Sequence, residues 1–192
     1  MEKNKDSLTS KERKLLLEIA RDAIQSAVKK KPFKKIDPNS LPEKLRTDGV
    51  SFITLTISGR LRGCIGALEA FQPLAVDVQE HAAAAATEDY RFPPVSEEEL
   101  PLLEIEISRL TPTAKIAFDS PNDLLNKIRP GVDGVVIKDG MRRATFLPQV
   151  WEKVSTPDEF FAHLCIKMGA HPDLWREKNL DVFTYQVEKF KE

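Results

Sequence analysis

Residues 51–68 read SFITLTISGRLRGCIGAL, and the reading of the fold starts there. Ile53, Leu55 and Ile57 alternate with Thr54 and Thr56, the two-residue period of a half-buried strand rich in β-branched side chains. Gly59-Arg60 then reads as a two-residue hairpin turn with glycine in its first place, and Leu61 to Leu68 as the return strand. That turn predicts the pairs Ser58–Leu61, Ile57–Arg62 and Leu55–Cys64. Directly paired side chains share a face of the sheet. Cys64 is therefore expected beside Ile53, Leu55 and Ile57, on the apolar side.

Outward from this hairpin, Asp139-Gly140 joins Val132–Lys138 to Met141–Leu147 as a second hairpin. Leu102–Leu110 sets Leu103, Ile105 and Ile107 against Glu104, Glu106 and Ser108, a strand with one polar face. Val182–Phe190 closes the chain as a strand. Helices lie between. Thr9 and Glu12 have capping-box spacing ahead of the apolar stripe Leu15, Leu16, Ile19, Ala23, Ile24, Ala27 and Val28, which Pro32 ends. Pro73 opens a helix to about Glu88, and its low-bulk run Ala82–Ala86 lets another backbone approach. Glu97-Glu98-Glu99 reads as a solvated helical turn, Pro121 opens a short helix, and Pro172–Lys178 forms another. Thr156-Pro157-Asp158-Glu159 caps a helix that sends Phe160, Phe161, Leu164, Cys165 and Met168 to the core and stops at Gly169. Strands in hairpins with helices between them define an α+β fold, a mostly antiparallel sheet covered by helices. The reading gives a single domain over 7–192 behind a flexible N-terminal tail, 1–6.

The composition excludes several classes. With 192 residues, 41% of them apolar and 31% charged, the chain is of ordinary globular make-up. A net charge of -1 argues against a dedicated nucleic-acid binder. Lys29, Lys30, Lys31, Lys34 and Lys35 form a local basic run, read here as a helix end running into a solvated loop. No stretch reaches the ~20 apolar residues of a membrane-spanning helix, and Met1–Ser10 is polar. Cys64 and Cys165 are too few for a disulfide framework, so two free thiols in a cytoplasmic protein are expected. His81, His163 and His171 show no metal-ligand spacing, and neither G-x-G-x-x-G nor a P-loop occurs. The sequence thus predicts no metal, no cofactor, no nucleic acid and no membrane.

Leu61-Arg62-Gly63-Cys64-Ile65-Gly66 is the densest chemical signal, and it supports two readings. In one, Arg62 stabilises a Cys64 thiolate nucleophile, Glu106 or His81 serves as base, and amides around Gly66 hold an anion. In the other, Cys64 packs as a small hydrophobe and Gly63 and Gly66 make room for the alanine-rich helix. Arg62 then needs an acidic partner, with Glu104, Glu106 and Asp89 as candidates.

The hexapeptide resembles the signature of the AMMECR family. Asp89-Tyr90-Arg91-Phe92-Pro93-Pro94, Ile105–Ser108 with Leu110-Thr111-Pro112, Gly131-Val132-Asp133-Gly134 and Thr145–Val150 resemble further family motifs in the same order. The likeness runs from about Leu15 to Val187. It implies two unequal α/β subdomains around a cleft. It also implies association, in bacteria and archaea, with Memo-like and radical SAM proteins. It implies no established reaction. By motif, the site set is Arg62, Gly63, Cys64, Gly66, Asp89, Arg91, Glu106, Asp133, Thr145 and Gln149. Structural roles compete at several of these positions: Asp89 and Arg91 as a loop clamp, Asp133 as a turn residue, Thr145 and Gln149 as partners of backbone next to Pro148. The expected function is a module binding a small anionic ligand or a protein partner. The alternative is an enzyme with Cys64 as an activated thiol acting on an anionic substrate.

Overall fold

A computed structural model describes residues 7–154 and 156–192; the expected tail, 1–6, lies outside the described residues. In chain order the elements are α1 Ser10–Val28, α2 Glu43–Arg46, β1 Val50–Ile57, β2 Arg60–Gly66, α3 Leu74–Thr87, β3 Glu104–Leu110, β4 Ala114–Lys115, α4 Pro121–Lys127, β5 Gly134–Asp139, β6 Arg142–Phe146, α5 Pro157–Lys167, α6 Leu174–Glu177, β7 Asp181–Tyr185 and β8 Val187–Lys191. The fold is α+β as expected, built on two four-stranded sheets: β2-β1-β3-β8 and β4-β7-β5-β6. The chain divides accordingly into two compact units, one running to Thr111 and taking back Glu188–Glu192, the other spanning Pro112–Val187. The expected final strand is split at Gln186, giving β7 to one sheet and β8 to the other.

In the first unit, Ile53, Leu55, Ile105 and Ile107 are fully buried beneath α1 and α3, whose Leu16, Ala20, Ile24, Leu74, Val78 and Ala82 complete the core. Burying each large aliphatic side chain contributes about 1.5–3 kcal/mol. The capping box that opens α1 forms as read: Glu12 N donates to Thr9 Oγ1 at 3.3 Å and Thr9 N to Glu12 Oε2 at 2.7 Å.

The first hairpin corrects its expected register. Ser58 and Gly59 both take positive φ, 51° and 74°, so they are the turn rather than Gly59-Arg60, and Ile57 pairs with Arg60. Two positive-φ residues match the right-handed twist of the flanking strands. The pairing then slips: Thr56 faces Leu61 but Leu55 faces Gly63, leaving Arg62 as the extra residue of a bulge. Cys64 consequently lies opposite Thr54, not Leu55. A one-residue slip moves a side chain to the other face of a sheet. Cys64 therefore leaves the apolar face, and Gly63 and Ile65 take it.

In the second unit, Val135, Ile137 and Val182 bury against the helix that carries Phe160, Phe161, Leu164, Cys165 and Met168. Trp151 stacks on Phe160 with ring centroids 3.7 Å apart. Burial pushes the Cys165 thiol above its ordinary pKa, as suits a packing residue. No helix among the described residues is long and apolar enough to cross a membrane.

Candidate functional site

Arg62, Gly63, Cys64 and Gly66 lie on β2, an edge strand of its sheet, and Asp89 and Arg91 lie against it. An edge exposes unpaired backbone groups, and here the loop after α3 covers them. Cys64 N–H donates to Asp89 Oδ2 at 2.8 Å, and Arg91 Nη2 donates to Cys64 O at 3.2 Å. Asp89 and Arg91 are themselves locked together: Arg91 Nε meets Asp89 Oδ1 at 2.9 Å, Nη2 meets Oδ2 at 2.6 Å, and the Arg91 amide adds a third bond at 3.2 Å. Asp89 is 5% exposed. The Arg91 guanidinium holds its carboxyl well below the usual carboxylate range. The pair thus imitates a neighbouring strand, one donor and one acceptor placed on Cys64.

Arg62 makes a second lock two residues earlier. Its Nε and Nη2 reach the two carboxylate oxygens of Glu99 at 2.7 and 2.9 Å, and Nη1 and Nη2 reach the carbonyls of Pro93 and Pro94 at 2.8 and 3.2 Å. The fork of a guanidinium suits this bidentate geometry. Glu104, Glu106 and Asp89, the expected partners, are not the ones used. The bulge turns Arg62 toward the turn at Glu97–Leu102. Glu99 is drawn down to about pKa 2, chiefly by Arg62. It was read only as part of a solvated acidic run. The available signal was Ser96 three residues ahead of it, and that capping box forms.

Cys64 is half-buried on the other face of the hairpin. Thr54 Oγ1 donates to its Sγ at 3.4 Å. Thr54 also faces Glu106 across β1–β3, so Cys64, Thr54 and Glu106 form one row over three strands. Adjacent strands lie about 4.8 Å apart, which puts Cys64 and Glu106 about 10 Å apart with Thr54 between them. His81 is on the wrong side. A Cβ added to Gly63 would lie 2.1 Å from Ala85 O, so α3 packs on the face that Cys64 has left. There His81 Nδ1 lies 3.2 Å from Asp77 Oδ2, which also accepts from Ser51 Oγ at 2.6 Å. Gly66 is required by close approach as well: a Cβ there would fall 2.4 Å from the Phe52 ring. The amide of Ala67 bonds Ser51 O at 3.3 Å, so it is engaged within the hairpin.

The second unit holds the remaining nominees. Asp133, 2% exposed, accepts from the Arg129 amide, the Arg129 guanidinium and Gln186 Nε2. Burial raises its pKa, but these donors outweigh burial and leave it lowered. Thr145 Oγ1 lies 3.1 Å from Tyr185 Oη. Gln149 is exposed in the turn Pro148–Glu152.

The two carboxylates that lock the first unit make its stability depend on acid. Both have folded pKa values below their ordinary ones. Their contribution is therefore complete above about pH 4.5 and is lost as pH falls toward 2. The urea midpoint should drop between pH 5 and pH 3, and Glu99→Gln should shrink that drop. An equal drop in the variant would remove Glu99 from the account.

The AMMECR1 family model matches residues 17–190. A protein of Methanothermobacter thermautotrophicus is 37% identical over 190 residues, covering 96% of each chain. A protein of Methanocaldococcus jannaschii is 39% identical over 166 residues, 83% of this chain and 81% of that one. The crystal structure of an uncharacterized protein from Pyrococcus horikoshii superposes with a TM-score of 0.72 at 32% identity, over 96% of this chain and 93% of that one.

Proposed function

This chain belongs to the AMMECR1 family, and on that footing we propose that it is a ligand- or partner-binding module whose recognition surface centres on Cys64, Thr54 and Glu106. The observation that carries the reading is the row itself. A polar, half-buried trio is held on one face of a sheet whose edge is locked by Asp89 and Arg91. Neither nominated base stands within hydrogen-bond reach of the thiol: Glu106 is two strands away and His81 is across the sheet. General-base activation of a nucleophile needs such reach. Recognition does not, because a pre-set row of donors and an acceptor binds without moving a proton. Arg62, with four of its five N–H groups engaged by Glu99 and two carbonyls, acts as a clamp on this surface. Arg91 Nη1 donates to no protein group among the described residues, which leaves it to meet an anionic group.

The thiol-enzyme reading keeps one supporting observation: Arg91 Nη2 donates to Cys64 O at 3.2 Å, which sets a guanidinium beside that residue. One experiment separates the two. Iodoacetamide should alkylate Cys64 no faster than the unfolded chain at pH 7, and Cys64→Ala should weaken but not abolish capture of whatever ligand or partner the wild-type chain co-purifies with, because Thr54 and Glu106 keep the polar groups of the row. Glu106→Gln should lose it. Fast alkylation at pH 7, with capture abolished by Cys64→Ala alone, would overturn the binding module in favour of an activated thiol.

A further inference from the structure

We propose that Lys29–Lys35 is a second interaction surface, a docking strip for an anionic lipid bilayer, independent of the Cys64 row. The segment reads Lys-Lys-Lys-Pro-Phe-Lys-Lys, and all seven residues are exposed, with Phe33 at 43%. None of its five lysines has an ion-pair partner among the described residues. The whole chain carries a net charge of -1, so five positive charges in seven residues are a local excess.

A helix end explains only part of the strip. Cations favour a helix C-terminus, but the effect fades within the last turn. The first helix ends at Val28, so Lys29 and Lys30 are within its reach and Lys34 and Lys35 are not. The strip is also held in place. Lys31 N donates to Ser26 O at 2.8 Å, Gln79 Nε2 donates to Lys34 O at 3.0 Å, and Ile36 packs on the core. Its backbone is tethered at both ends while its side chains stay in solvent.

The residue types choose the partner. Clustered lysines are drawn to anionic headgroups, and an aromatic ring among them settles at the boundary between headgroups and acyl chains. Phe33 sits between the two lysine groups and is displayed. Surfaces that hold single-stranded nucleic acid add several stacking rings to their basic groove. This strip has no arginine and one ring. The mode is attachment to the surface, since no described helix is long and apolar enough to span a bilayer.

The test is co-sedimentation of the full chain with phosphatidylserine–phosphatidylcholine vesicles and with phosphatidylcholine vesicles. The chain should pellet with the first and not the second. It should be released as salt rises from 0.1 to 1 M and the screening length falls from ~10 to ~3 Å. Lys34→Gln combined with Lys35→Gln should weaken partitioning about 25-fold, roughly fivefold for each lysine, and Phe33→Ser should weaken it further. Unchanged circular dichroism and melting in these surface variants would assign the loss to the strip. No pelleting on the anionic vesicles at low salt overturns the proposal, as does pelleting that the double variant leaves intact. Release by millimolar inorganic phosphate would reassign the strip to a lone anion. Tighter, lysine-dependent retention of single-stranded RNA would reassign it to nucleic acid.

Discussion

Gly63→Ala should destabilise the first unit by about 3 kcal/mol, although it adds a single methyl group. Small-to-large changes in a packed interior cost about 1–3 kcal/mol when side chains can adjust, and here they cannot. The new Cβ would stand 2.1 Å from the carbonyl oxygen of Ala85 and 3.1 Å from its carbon, both backbone atoms inside α3. Either the helix lifts from the sheet, opening the packing of Ala82, Ala85 and Ala86, or the hairpin bends away from β1. A chain of this length loses about 2–4 °C of melting temperature for each kcal/mol, so a drop of about 6–12 °C is expected. Gly59→Ala is the matched control. It shares the hairpin, its Cβ meets nothing within 4 Å, and only its positive φ is penalised, at about 1 kcal/mol. If urea melts found Gly63→Ala no worse than Gly59→Ala, the seating of α3 on β2 described above would be wrong.

Arg62→Ala should cost a similar amount, about 3 kcal/mol, by a different route. It removes both bonds to Glu99 and both carbonyl contacts, and it leaves a carboxylate whose side chain is 28% exposed with the Ser96 amide as its remaining donor. Breaking one partner of a shielded pair is penalised more than the pair itself contributes, because the remaining charge stays partly desolvated. Arg62→Lys restores the charge without the fork and should recover about half of the loss. A double-mutant cycle with Glu99→Gln should show a coupling above about 1 kcal/mol; additive effects would rule out the clamp. This bears on function too. A loss of binding in Arg62→Ala accompanied by a lowered melting temperature reports a collapsed support, not a missing contact to an anion. Binding assays on that variant are therefore interpretable only alongside Arg62→Lys and Cys64→Ala.

Much of the fold was legible locally. Thr9 and Glu12 mark the start of α1, alternation marks β1 and β3, and a glycine marks the second hairpin, although there Asp139 pairs with Arg142 and the turn is Gly140-Met141, one residue later than the Asp139-Gly140 expected; each signal depends on residues within a few positions of one another. The helix of Phe160 and Phe161 was legible for the same reason. The candidate site was legible as a list of residues and not as an arrangement. Glu99 looked like one acid in a solvated run because its partner, Arg62, lies 37 positions away. Thr54 looked like an ordinary strand threonine because nothing near it in sequence announces the thiol that it contacts.

The local pattern by itself determined that strands would come in hairpins under amphipathic helices, and that Gly63 would make room for an alanine-rich run. Only the tertiary structure decided which way Cys64 points. A hairpin register depends on where the turn falls and whether a bulge follows, and the two differ by a single residue that propensity does not distinguish. Ser58 joining Gly59 at positive φ and Arg62 bulging out settled it. The bulge leaves Arg62 paired with Glu99, 37 positions away, and a contact that distant in sequence is not part of any local pattern.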